Sequence, residues 1–112
     1  MRKDGKIDYL EMWSDGAPIG EVKAFYTKAF GWTFTDYGPT YAAFDEGLDG
    51  GFDTSEGKAA PLPVLFSENL EQSLDAVTAA GGRIVKPIFS FPGGRRFHFT
   101  DPAGNEMAVW AE

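Results

Sequence analysis

Phe97-His98-Phe99-Thr100-Asp101-Pro102-Ala103-Gly104-Asn105-Glu106-Met107-Ala108-Val109-Trp110 is the stretch that decides the fold. Apolar residues alternate up to Phe99, a turn-forming cluster runs from Asp101 to Asn105, and alternation resumes through Met107, Val109 and Trp110. This is the pattern of two antiparallel strands joined by a tight turn. A strand's period of two puts Glu106, Ala108 and Trp110 on one face and Met107 and Val109 on the other. One face belongs under a helix. What the other face lines carries the functional question.

Upstream of the hairpin, Phe91-Pro92-Gly93-Gly94 reads as a flexible loop and Arg83–Phe89 as a strand, with Pro87 arguing for an edge or a bulge. Before that, Leu70, Leu74, Val77 and Ala80 recur at helical spacing. Asn69, with Gln72 three residues on, resembles a helix-capping box, and Gly81-Gly82 ends the helix. Pro61–Ser67 is apolar and extended, whereas Thr54–Ala60 has no periodicity and reads as a linker.

The first half follows the same order. Ile7–Ser14 is a strand with Leu10 and Met12 on one face and Ile7, Tyr9, Glu11 and Trp13 on the other. Asp15-Gly16-Ala17 breaks it, and Pro18 suits the first position of a helix, where no amide hydrogen is needed. Ile19, Val22, Phe25, Tyr26, Ala29 and Phe30 repeat at helical spacing up to Gly31. Strands are predicted over Trp32–Tyr37, Thr40–Asp45 and Leu48–Asp53. Aligning Phe30-Gly31-Trp32 with Gly81-Gly82-Arg83 exposes an internal repeat of roughly fifty residues. The fold class is therefore α+β: one domain over 1–112 made of two βαβββ modules, about 7–53 and 61–111, with a linker at 54–60. Neither module can bury its sheet alone, so the two are expected to pair and enclose a cleft.

A formal charge of −7 with a pI near 4.6 argues against nucleic acid, whose binding needs Lys and Arg to neutralise phosphates. The absence of cysteine rules out disulfides and thiolate chemistry. Basic residues near the start are not followed by an apolar run, so neither a secretory signal nor a membrane-spanning segment is read, and a cytoplasmic location is expected.

Three motifs then stand in order: Ala24-Phe25-Tyr26-Thr27-Lys28-Ala29-Phe30-Gly31-Trp32, Ala80-Gly81-Gly82 and Phe99-Thr100-Asp101-Pro102-Ala103-Gly104-Asn105. With them the chain resembles the vicinal oxygen chelate superfamily of glyoxalases, extradiol dioxygenases, bleomycin-resistance proteins and related lyases and epimerases. The resemblance implies an incomplete mixed β-barrel around a ligand cleft, often in a homodimer. It also implies metal ligation by His, Glu or Gln from the first and last strand of each module. Those positions carry over to Tyr9, to Gly50 or Gly51, to Pro63 (Leu62 in the alternative register) and to Ala108. None is a usual ligand, so the chain departs from the family's pattern, and neither a metal nor another cofactor is expected. A shifted divalent-metal site built from Glu11, His98 and Glu106 stays open as the alternative.

Glu11 and Glu106 are candidate general bases among apolar neighbours, or else carboxylates at a solvated sheet end or paired with Arg95 or Arg96. His98, the sole histidine, is a candidate to orient a ligand or shuttle a proton, or a hydrogen-bonded histidine without chemistry. Arg95-Arg96 offers a fork for a ligand carboxylate, or is an exposed pair. Tyr9, Trp13 and Trp110 are candidates to hold a planar or cationic ligand by stacking, or to fill the cleft or a dimer seam, and Leu65 is a further candidate to line the ligand site. No phosphate loop, nucleophile elbow or Ser–His–Asp set can be read. The function expected is a metal-independent small-molecule-binding protein similar to the bleomycin-resistance branch. The alternative is a lyase, isomerase or dioxygenase using a metal or an acid–base pair from Glu11, His98 and Glu106. A third reading leaves the cleft vestigial and only dimerisation important.

Overall fold

The computed structural model describes residues 2–14, 16–55 and 60–112. Asp15 of the expected strand break and residues 56–59 of the expected linker lie outside them. The elements are β1 (Ile7–Trp13), α1 (Ile19–Phe30), β2 (Thr35–Asp36), β3 (Tyr41–Glu46) and β4 (Leu48–Asp53), then β5 (Leu62–Phe66), α2 (Leu70–Ala79), β6 (Arg83–Phe91), β7 (Gly94–Thr100) and β8 (Glu106–Ala111). The fold is α+β, with the βαβββ order occurring twice. Two compact units result, residues 9–61 (module one) and residues 2–8 with 62–112 (module two).

In module one the strand order is β2-β3-β4-β1, with β4 parallel to β1 and antiparallel to β3. Helix α1 begins one residue after Pro18, which stands outside the first turn with φ −69° and ψ 154° and accepts from the amide of Glu21 at 3.0 Å. Its end explains a shortened strand. Gly31 adopts φ 76°, its amide donates to the Thr27 carbonyl at 2.9 Å, and the amide of Trp32 donates to that of Tyr26. Trp32 is thereby committed to the helix end, and its ring stacks on Tyr26 at 4.7 Å and meets Phe44 at 5.0 Å. Only Thr35–Asp36 of the strand predicted over Trp32–Tyr37 pairs with β3. Tyr26 also meets Phe52 at 5.1 Å, which seats α1 on the face carrying the buried Phe44 and Phe52.

In module two the strand order is β5-β8-β7-β6. Asn69 Oδ1 accepts from the Gln72 amide at 3.1 Å, as the capping pattern predicts. The return arm comes from elsewhere: the Asn69 amide donates to Ser67 Oγ, which also bonds Ser73 Oγ at 2.6 Å. Asn69→Ala should therefore lower stability by about 1 kcal/mol, measured by urea denaturation. Leu70, Leu74 and Val77 pack against Phe97, Val109, Ala111, Ile84, Ile88 and Phe99. That core fixes which face of the closing hairpin lies under α2. The edge strand β6 loses register on both sides of Lys86, where Pro87 cannot donate to the ladder. It then runs on to Phe91, which pairs with Gly94, so the stretch expected to be a flexible loop is a tight turn of Pro92 and Gly93 with φ 112° at Gly93.

The turn of the opening stretch is organised by one carboxylate. Asp101 Oδ1 accepts from the amides of Ala103 and Asn105, both at 2.9 Å, and Oδ2 from the Asn105 side chain at 3.1 Å. These bonds, the Asn105 side chain's first, hold the Asp101 carboxyl below the usual carboxylate range. Among the described residues no helix is long and apolar enough to cross a membrane.

Candidate functional site

Antiparallel pairing of β7 with β8 sets Arg96 beside Trp110, His98 beside Ala108 and Thr100 beside Glu106. Since Phe97 and Val109 face α2, these residues occupy the opposite face. Strand β5 adds Val64 beside Ala108 and Phe66 beside Trp110, and β6 adds Lys86 beside His98 and Phe89 beside Arg96. Leu65 registers with Val109 and so belongs to the α2 side, away from Trp110. The extended reading of Pro61–Ser67 fixed the alternation of β5 but not which parity would meet β8.

His98 is 2% exposed, and its Nδ1 lies 2.9 Å from Glu106 Oε2. A carboxylate oxygen accepts, so Nδ1 carries the proton and Nε2 presents a lone pair. Nε2 is buried and has no hydrogen-bond partner among the described residues. Burial, reinforced by the positive charges of Arg96 and Lys86, pushes the imidazole below its ordinary pKa against the opposing bond from Glu106. The ring is neutral near pH 7. It can accept a hydrogen bond or take up a proton at Nε2 while Glu106 fixes its orientation.

Arg95 and Arg96 do not form a fork. As strand neighbours they point to opposite faces, and Arg95 grips Glu71 of α2 through two bonds of 2.6 and 3.2 Å. Arg96 lies over the rings of Phe89 and Phe91, at 5.5 and 5.7 Å. Glu106, read as a possible partner of these arginines, turns to His98 instead.

Trp110 is engaged on several sides. Its Nε1–H donates to Asp8 Oδ1 at 3.1 Å, the Arg2 guanidinium sits 4.9 Å from its ring centre, and Phe66 meets it edge-on at 5.4 Å. Arg2 closes the group with a 2.9 Å bond to Asp8 Oδ2. The sequence reading singled out neither Arg2 nor Asp8. Their signal is weak, since a basic residue and an aspartate near a strand start are common, and only the tertiary pairing of residues far apart in the chain joins them to Trp110.

Module one places Tyr9, Glu11 and Trp13 on the face of its sheet away from Phe44 and Phe52, beside Asp49, Gly51 and Asp53. Glu11 is buried, and the hydroxyls of Tyr9 and Tyr41 are hydrogen-bonded. The Tyr41 ring lies so close over Gly51 that a Cβ at that position would overlap it. This bears on the metal that the resemblance implies. The carried-over positions supply a Tyr9 hydroxyl bound to Tyr41, a glycine whose side-chain space is filled by that ring, hydrocarbon from Leu62 or Pro63, and the buried methyl of Ala108. Among the described residues, no three His, Cys, Asp or Glu side chains come together. The donor set does not fit a divalent metal.

The model of the Glyoxalase/Bleomycin resistance protein/Dioxygenase superfamily matches residues 18–109. The chain belongs to this superfamily. Among proteins of curated function, none matches it. Solved structures share its fold at low identity. The NAD-dependent benzaldehyde dehydrogenase from Legionella pneumophila has a TM-score of 0.74 and 12% identity over 92% of this chain and 96% of its own. A superfamily member from Vibrio splendidus 12B01 has a TM-score of 0.69 and 12% identity over 96% and 98%. The Mn(II)-bound glyoxalase from Novosphingobium aromaticivorans has a TM-score of 0.68 and 18% identity, covering 99% of this chain and 40% of its own.

Proposed function

We propose that this superfamily member binds a small organic molecule, aromatic or cationic, without a divalent metal, on the face of module two that carries Arg96, His98 and Trp110. The observation that carries the reading is the buried His98 Nε2, an oriented acceptor with no partner among the described residues. An acceptor left unsatisfied costs about 1–3 kcal/mol of stability, which a ligand's O–H or N–H recovers on binding. Phe66, Phe89, Phe91 and Trp110 supply apolar surface around it. Sequestration follows naturally from such a site.

The same pair favours a second reading, a metal-free lyase or isomerase in which Nε2 takes a proton while Glu106 retains the one on Nδ1. Both readings meet one experiment. Tryptophan fluorescence titration with planar phenols, aromatic amines and quaternary ammonium compounds, in the presence of EDTA, should find a binder whose affinity falls about 10- to 100-fold in His98→Phe. Binding that appears only after zinc, nickel, iron or manganese is added contradicts the proposal. Chemical change of the bound compound over hours, absent in His98→Phe, selects the second reading.

A further inference from the structure

We propose that Asp8 and Trp110 form a binding site for the guanidinium or ammonium group of an organic cation, and that Arg2 fills this site in the free protein as a displaceable plug. The inference rests on module two receiving a small molecule, and it names that molecule's charged end.

The site is built before any cation enters it. Trp110 Nε1–H holds Asp8 Oδ1 at 3.1 Å and leaves Oδ2 as the second acceptor. The Asp8 side chain is 17% exposed, so its charge is partly withdrawn from water and an arriving cation interacts more strongly than at an open surface. The indole face lies beside it, and a cation within about 6 Å of a tryptophan ring centre is attracted by the ring's negative face. Arg2 uses both elements at once, with its guanidinium 4.9 Å from the ring centre and a 2.9 Å bond to Oδ2. The chain's own guanidinium thus displays the chemistry of the occupant.

Backbone geometry explains how residue 2 reaches residue 8. The Lys6 amide donates to the Lys3 carbonyl at 3.3 Å, and Gly5 adopts φ 73°, so the segment reverses on itself. From Asp4 onward the segment is fixed to module two: the Gly5 amide donates to the Phe66 carbonyl at 2.8 Å, the Phe66 amide to that of Lys6 at 3.0 Å, and the Glu68 amide to Asp4 Oδ1 at 2.8 Å. Arg2 precedes these anchors in the chain and competes for the site as a tethered group, for which a short tether gives an effective concentration on the order of millimolar. With a net charge of −7, the protein also draws free cations toward it.

The test uses agmatine, which carries a guanidinium and an ammonium group, and follows the indole N–H resonance of Trp110 by two-dimensional NMR on the full chain. Arg2→Ala should bind agmatine about tenfold more tightly than the unaltered protein, as expected if Arg2 holds the site roughly nine-tenths of the time. Arg2→Lys should restore the weaker binding, and adding Asp8→Asn to Arg2→Ala should abolish the gain. Equal affinity of Arg2→Ala and the unaltered protein, or a gain that survives Asp8→Asn, overturns the proposal. Arg2 is at the surface, so Arg2→Ala and Arg2→Lys can be compared without loss of the fold. A protein that binds neutral aromatics through His98 but shows no agmatine response overturns this inference alone. Agmatine binding by Arg2→Ala, with no ligand sensitive to His98→Phe, overturns the preceding reading and leaves this one standing.

Discussion

Replacing Phe97 with alanine is expected to destabilise the protein by about 3–5 kcal/mol, read as a shift of the urea midpoint at unchanged slope. Phe97 is fully buried and packs with Leu70, Val109 and Ala111, with the Phe99 ring 6.2 Å away. The space it leaves is bounded by the sheet on one side and α2 on the other, so collapse recovers little. Domains of this size hold about 5–15 kcal/mol in total, and the variant is expected to sit close to unfolding at 37 °C. A loss below about 1 kcal/mol contradicts the assignment of faces in the closing hairpin, because the surface substitutions that such a value implies cost no more than about half a kcal/mol.

The second large effect concerns the pair on the other face. Glu106→Ala strips the acceptor from a buried imidazole N–H, and the stranded donor should cost about 1–3 kcal/mol. It also changes how stability depends on pH. Burial holds the folded-state pKa of His98 below the 6.5 of an ordinary histidine. Between those two values the unfolded chain binds more protons than the folded one, so stability falls as pH drops through 6.5 and levels off below the folded value. Glu106 opposes the depression. Its removal therefore pushes the folded value lower and carries the acid loss further down the pH scale. As His98 is the sole histidine, its ring protons can be followed by NMR titration without ambiguity. A folded-state midpoint above 6.5 in the unaltered protein contradicts a neutral, acceptor-bearing ring.

Most of the architecture was legible because local signals and tertiary pairing agree. The Asp101–Asn105 cluster announced the turn whose bonds Asp101 then makes, Asn69 announced the α2 cap, and Pro87 announced the break in β6 register. Misreadings fell where a residue serves a purpose that periodicity does not report. Trp32 falls within the strand predicted over Trp32–Tyr37, yet its amide and ring finish α1. Pro92-Gly93 looked like a loose loop although a proline followed by a positive-φ glycine makes a tight turn.

On the face that carries His98, the alternation of residues was legible in the sequence and their side-chain partners were not. The period of two puts Glu106 and Trp110 on one face of their strand, and the register of β7 with β8 adds Arg96 and His98 to that face. The alternation could not say that Glu106 would choose His98 over an arginine, since that choice depends on side-chain reach across the strands. Leu65 was grouped with Trp110 although β5 meets β8 with the other parity. The clamp of Arg2 and Asp8 on Trp110 joins residues far apart in the sequence, Asp8 and Trp110 being 102 positions apart, and leaves only a weak local signal.

Metal independence is the claim on which the functional account depends, and elemental analysis tests it most directly. The protein should be purified without an affinity tag or chelator, incubated in turn with zinc, nickel, iron and manganese, desalted and assayed for bound metal. Gly51 under the Tyr41 ring and the methyl of Ala108 predict well under one metal ion per chain in every case. One tightly held ion per chain would contradict the account and point to donors assembled around Glu11, His98 and Glu106.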